Sequence, residues 1–197
     1  VKNEWDEYAQ NWDIDPSVSL YANKVFTQLN RIVDIKEKTI LDFGCGTGAL
    51  TQLMSPIADN ITAIDPSSEM IKKLAQKKLK NVATISDYLS ENLILQYPAL
   101  NNQFDIIVAS SVCGFVPEYE VTLGLLKSLL KNDGLFVQWD WLSEEDNATT
   151  GLTELRVKNA FEAIDFNIKE LSSPFIMQSE KGSMPVLMAV GENAVKN

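Results

Sequence analysis

The sequence contains no histidine. That absence removes a Ser-His-Asp triad, a Cys-His pair and any histidine-ligated metal. Cysteine is nearly as scarce, and Cys45 and Cys113 stand too far apart in the chain to form a metal-type pair. Positive charge is also short. Lysine and arginine number 17 against 27 aspartates and glutamates, and the net charge of -10 opposes attraction to nucleic acid. No apolar run is long enough to span a bilayer, and none reads as a signal peptide, so a cytoplasmic protein without membrane partners is the expectation. Repeats and low-complexity tracts are missing, and 197 residues fit one continuous core. One domain over residues 1–197 is expected, with 1–35 as an N-terminal helical cover and 36–197 as the sheet core.

What is present centres on Thr39-Ile40-Leu41-Asp42-Phe43-Gly44-Cys45-Gly46-Thr47-Gly48-Ala49-Leu50. Residues 39–43 have the length and β-branched content of a buried strand. A glycine cluster follows, and helical spacing resumes over 49–54. Glycine suits a turn that visits φ > 0 and lets the backbone approach a ligand, while a following helix start offers free N–H groups. Gly44-x-Gly46-x-x-Ala49 satisfies the relaxed dinucleotide fingerprint as well. Asp42 distinguishes the two cofactors, because a carboxylate suits a cationic amino acid ligand better than a diphosphate.

The string from Leu41 to Gly48 closely resembles motif I of the class I S-adenosylmethionine-dependent methyltransferases. In that family the loop lies against the methionine part of the cofactor, which implies such a role for Asp42, Gly44, Cys45, Gly46, Thr47 and Gly48. A second strand ends at Asp65, where an acid can accept both ribose hydroxyls; a helix-capping turn is the alternative there. Asp65-Pro66-Ser67-x-x-Met70 resembles the family's continuation, with Pro66, Ser67 and Met70 beside the adenine. A third strand over 82–86 leads into Asp87-Tyr88, which the resemblance places at the adenine amino group. Lys72, Lys73, Lys77, Lys78 and Lys80 form the most basic stretch and read as a solvated helix face.

Further along, residues 104–110 are a clear buried strand. Ser110 and Ser111, just beyond, take the position of the loop beneath the transferable methyl group. This stretch lacks the Asn-Pro-Pro-Tyr or Asp-Pro-Pro-Tyr tetrad of nucleic-acid adenine methylases and the acid cluster of magnesium-dependent enzymes, so no metal is expected. Helices are read over 18–35, 67–80, 121–130 and 153–164, a stop at 131–134, and strands over 135–141, 166–171 and 185–191. Residues 92–103 read as a loosely constrained connection. Trp139 and Trp141 flank Asp140 and share one strand face, either as an acceptor pocket or as core.

Near the start, Trp5, Tyr8 and Trp12 share one face if residues 4–15 are helical. They either dock that segment on the domain or, as the resemblance implies for Tyr8 and Trp12, close over the cofactor. The fold expected is a seven-stranded, mostly parallel, doubly wound α/β sheet of order 3-2-1-4-5-7-6 with an antiparallel last strand. The reaction expected is methyl transfer from S-adenosylmethionine to an O, N or C atom of a small molecule. Asp140, Tyr8, Glu118 and Tyr119 are the candidates for a proton acceptor, none favoured by motif. An NAD(P)-dependent oxidoreductase and a non-catalytic adenosine-cofactor-binding subunit are the alternatives.

Overall fold

A computed structural model describes residues 3–145, 151–179 and 182–194. Seven strands form a sheet of order β3-β2-β1-β4-β5-β7-β6, the mostly parallel, doubly wound order that the sequence predicts. Among the described residues no helix is long and apolar enough to cross a membrane. The chain gathers into two compact units, Val1–Leu89 and Ser90–Asn197.

In the first unit, β1 (Thr39–Phe43) pairs in parallel with β2 (Asn60–Ile64), and β2 with β3 (Val82–Ile85). Ile40, Leu41, Ile61, Ala63 and Ile64 are buried, the continuous apolar pattern of strands covered on both faces. Helix α1 (Pro16–Ile32) starts where Asp15 accepts the Ser17 amide and Pro16 takes the first helical turn. It buries Tyr21, Ala22, Val25 and Leu29, whereas Leu20, expected on the apolar face, is exposed. It also ends before the predicted boundary, with Ile35 buried beyond it in extended chain. Helix α2 (Thr51–Met54) is shorter than the spacing predicts, because the glycine turn runs on through Leu50. Helix α3 (Ser68–Gln76) buries Met70, Ile71 and Leu74 and stops short of Lys80, as Lys78 turns to φ 53°. The predicted helix over 4–15 is instead two short 3-10 turns, Glu4–Glu7 and Trp12–Ile14.

In the second unit, residues 92–103 are not a loose connection. Ser90 caps α4 (Glu91–Gln96) by accepting the Leu93 amide; Leu93 and Ile94 are buried, and Pro98 opens a 3-10 turn. Strand β4 (Phe104–Ser110) pairs in parallel with β5 (Leu130–Trp141). Helix α5 (Tyr119–Leu129) lies between them in sequence, with Leu123, Leu126 and Leu129 inward. The predicted stop at 131–134 is a bulge inside β5, since the register passes from Phe104↔Leu130 to Ile106↔Leu135. Helix α6 (Glu154–Ala163) precedes β6 (Asn167–Ser179) and β7 (Gly182–Glu192), an antiparallel pair longer than the sequence suggests. Ser172, Ser173 and Pro174 hide the strand by interrupting its alternation, and the register shifts there. The rings of Phe136, Phe161 and Phe166 cluster with centroids 5.3–5.9 Å apart and form the aromatic part of this core.

Candidate functional site

In Val1–Leu89 the glycine turn is built by three positive φ angles, 69° at Gly44, 54° at Gly46 and 81° at Gly48. A side chain on Gly48 would press on a terminal methyl of Leu74, which would have to shift. The amides of Gly44 and Cys45 both donate to the Ile64 carbonyl, at 2.8 and 3.1 Å, which pins the turn to the end of β2. Asp65 completes the arrangement. One carboxylate oxygen accepts the Gly46 amide at 2.9 Å and the other the Ser67 amide at 2.8 Å. Each oxygen keeps a further lone pair. Ser67 in turn caps α3 through its hydroxyl, which accepts the Met70 amide. The capping turn weighed for Asp65 in the sequence is therefore present.

Asp42 lies beneath this turn, 1% exposed, and accepts the Thr51 hydroxyl at 2.6 Å. Burial pushes its carboxyl up to about 7; the Thr51 bond opposes that rise and the Asp65 charge adds to it. Burial also raises Asp65, against the pull of its two amide bonds. Cys45 packs with Ala63, Ile71 and Leu74, and burial lifts its thiol well above the ordinary range, so it serves as a small protonated spacer.

The N-terminal aromatics do cluster without a helix. The Trp5 centroid lies 5.7 Å from Tyr8 and 6.1 Å from Trp12, edge to face with the latter. The Trp12 ring nitrogen is 3.9 Å from where a Gly46 Cβ would stand, whereas Tyr8 is 57% exposed. Three polar side chains absent from the sequence reading tie this strap down. Asp6 accepts the Ser67 hydroxyl at 2.6 Å and the Glu69 amide at 3.4 Å. Asp13 accepts the Thr47 hydroxyl at 2.5 Å and pairs with Lys77 at 3.5 Å. Asn3 donates to the Tyr88 hydroxyl at 2.8 Å. The acids interleaved with the strap aromatics were the available signal. Asp87 and Tyr88 are exposed after β3, and Pro66 is half-buried between Asp65 and Ser67.

In Ser90–Asn197, Ser110 closes β4 and Ser111 turns at φ 57°, its amide donating to the Trp139 carbonyl at 2.6 Å. A 3-10 turn over Cys113–Phe115 follows. Asp140 is 1% exposed, and its carboxylate accepts the Gly114 amide at 2.9 Å, with the Cys113 and Val112 amides also bonded to it. Its second oxygen takes the Gln138 side-chain amide at 3.2 Å, and the Tyr119 hydroxyl donates to the other end of that amide at 2.8 Å. Burial brings Asp140 up to about 7 despite the three backbone bonds, and burial lifts Tyr119 and Cys113 well above their usual ranges. Glu118 is exposed before α5. Trp139 is fully buried and Trp141 half-buried, so the core reading holds for the first of the two tryptophans.

Residues 19–170 match the family model described as a methyltransferase domain. The chain belongs to this family. The class I resemblance read from Leu41 to Met70 holds, and the antiparallel β6–β7 pair separates this methyltransferase sheet from the parallel ending of a dehydrogenase. The chain is 32% identical over 145 residues to an uncharacterized methyltransferase of Anoxybacillus flavithermus, covering 68% of this chain and 66% of that one. A ubiquinone biosynthesis O-methyltransferase of Haemophilus ducreyi is 28% identical over 145 residues, covering 68% of this chain and 60% of its own. The chain thus spans less than two thirds of the length of these curated relatives. A crystal structure of a SAM-dependent methyltransferase from Aquifex aeolicus superposes with a TM-score of 0.72 at 22% identity, covering 96% of this chain and 98% of that one. That likeness is one of fold.

Proposed function

We propose that the protein, acting as one domain in the cytoplasm, transfers a methyl group from S-adenosylmethionine to an O, N or C atom of a small molecule. When bound, this cofactor supplies a methyl on a sulfonium, and the acceptor's lone pair forms the new bond as the carbon–sulfur pair returns to sulfur. The chain's part is to hold both reactants in line, which can supply much of the acceleration without a covalent step.

The observation that carries the reading is the Asp65 clamp. A carboxylate that fixes both the glycine turn and the start of α3 leaves one lone pair on each oxygen for a vicinal diol. Gly46 and Gly48 keep the turn backbone bare, and Trp12 stands over the first of them. In this reading Gly44, Cys45, Thr47 and Asp42 shape the methionine side and Ser67, Met70, Asp87 and Tyr88 the adenosine side. Tyr8 and Trp12 cover the cofactor.

Thermal unfolding with S-adenosylmethionine, S-adenosylhomocysteine, NAD and NADP tests it. A ligand at a hundredfold its dissociation constant adds roughly 2.7 kcal/mol. The expected result is a rise with the two sulfur ligands alone, lost in Asp65→Asn. A rise with NAD or NADP alone, or none with any of the four, overturns it.

A further inference from the structure

Two acids bracket the glycine turn, and the structure gives them different kinds of partner. The Asp65 carboxylate is held by the backbone amides of Gly46 and Ser67, donors that cannot turn round. Such a pair suits the ionised form. The Asp42 carboxylate is held by the Thr51 hydroxyl at 2.6 Å. A hydroxyl donates or accepts as it rotates, so this bond survives whether Asp42 is charged or protonated. Neighbouring acids whose settings drive their ionisation apart take different roles.

Asp42 is 1% exposed and has almost no water left to lose. A ligand that covers the turn therefore changes its ionisation through charge, and hardly through desolvation. The path for that charge is short. Asp42 and Asp65 both act electrostatically on the Cys45 thiol of the turn, and Asp65 acts on Asp42. Around the turn and the start of α3 stand Asp6, Asp13, Asp42 and Asp65, and the lysine that meets them, Lys77, is paired with Asp13 at 3.5 Å. The charge left over is negative, and a cation would relieve it.

The methyl donor is a sulfonium and the product left after transfer is an uncharged thioether, so the two ligands differ by one positive charge. We propose that Asp42 reads this difference: it releases a proton when the donor seats on the turn and regains one when the product takes its place, so that the donor is held more tightly than the product. The effect runs through the field across the turn. This rests on the cofactor reading above.

The groups that face Asp42 in this unit leave the exchange to it. Its neighbour on β2 is Ala63, and Thr51 of α2 carries no charge. Burial and the two acids keep the Cys45 thiol protonated. Asp6, which acts on Asp65, spends its carboxylate on the Ser67 hydroxyl and the Glu69 amide. The Asp42 carboxyl, pushed up to about 7 by burial, exchanges its proton near neutral pH.

Calorimetry on the whole chain, in buffers of different ionisation enthalpy, counts the protons released on binding. At about pH 6.5, S-adenosylmethionine should release about half a proton and S-adenosylhomocysteine almost none, as a fall of about one pH unit in the Asp42 midpoint gives. The ratio of product to donor dissociation constants should rise about fourfold from about pH 5.5 to about pH 7. Asp42→Asn should abolish both the difference in protons and the rise. Thr51→Val removes the hydroxyl that steadies the charged form and should move the rise upward by about one pH unit, while Thr51→Ser keeps it in place. Equal proton release by the two ligands in the wild type overturns the inference and leaves the cofactor reading standing. So does a difference that Asp42→Asn retains, or a Thr51→Val profile that coincides with wild type. Binding of neither sulfur ligand overturns the cofactor reading and the inference with it.

Discussion

Asp65 and Asp140 do the same physical work in two different loops. Each is a buried acid at the C-terminal end of a strand, and each accepts backbone amides from a turn that follows another strand. The loops differ in what sets their shape. The turn after β1 is shaped by glycines at positive φ, so its path is written where it occurs. The loop after β4 has Ser111 at φ 57° and takes its path from an acid about 26 positions downstream and from close packing on Gly151. A local code and a tertiary one thus produce equivalent anchors, and only the first can be recognised as a motif.

The largest expected effect is on stability against pH. Asp42 and Asp140 have folded-state pKa values raised to about 7 from 3.8, so between these values the folded form binds more protons than the unfolded one. Unfolding free energy therefore falls as pH rises from about 4 to about 7, by up to about 4 kcal/mol for each acid. Urea unfolding across that range should show the loss, and Asp42→Asn and Asp140→Asn should each remove a similar share. A loss that Asp140→Asn leaves unchanged would break the comparison at its second acid.

A smaller effect separates the two loops. Gly114→Ala drives a methyl into backbone at 2.8 Å and should cost about 3 kcal/mol. Gly46→Ala meets nothing closer than the Trp12 ring at 3.9 Å and should lose about 1 kcal/mol for its left-handed backbone. Urea midpoints at constant slope would give the ranking, and a reversed order would mean that the glycine turn is the more tightly packed of the two. The smallest effect is expected at Asp13→Ala, below about 1 kcal/mol in global stability, since that side chain is 45% exposed and its ion pair is screened by water. A larger loss in calorimetry would make the strap part of the core.

How much of this was legible follows the same division. Strands β1, β2 and β4 are short runs rich in β-branched and apolar residues, and the order of the sheet is what the family resemblance over Leu41–Met70 implies. Asp65 was legible because it stands one residue past a strand that the pattern identifies. Asp6 and Asp13 were not, because their partners lie 61 and 34 residues away, and Gln138 was not, because its setting depends on Tyr119, 19 residues upstream. Residues 4–15 kept their aromatic cluster and lost the helix, since Trp5 and Trp12 meet through two 3-10 turns and not along one face. Helix α4 carries a Ser90 cap and the apolar pair Leu93–Ile94, a signal too short to outweigh Pro98. Residues 146–150 and 180–181 lie outside the described residues.

The strap has one buried residue in its described length, Ala9, and beside its half-buried tryptophans it is tied by the polar contacts of Asn3, Asp6 and Asp13. Such a hold yields to salt and solvent long before a packed strand does. The Glu69 amide, which donates to Asp6, then exchanges its hydrogen each time the strap lifts, while the amides of β2 wait for the whole unit to open. Two clocks run in one unit, and the faster is set by a few carboxylates.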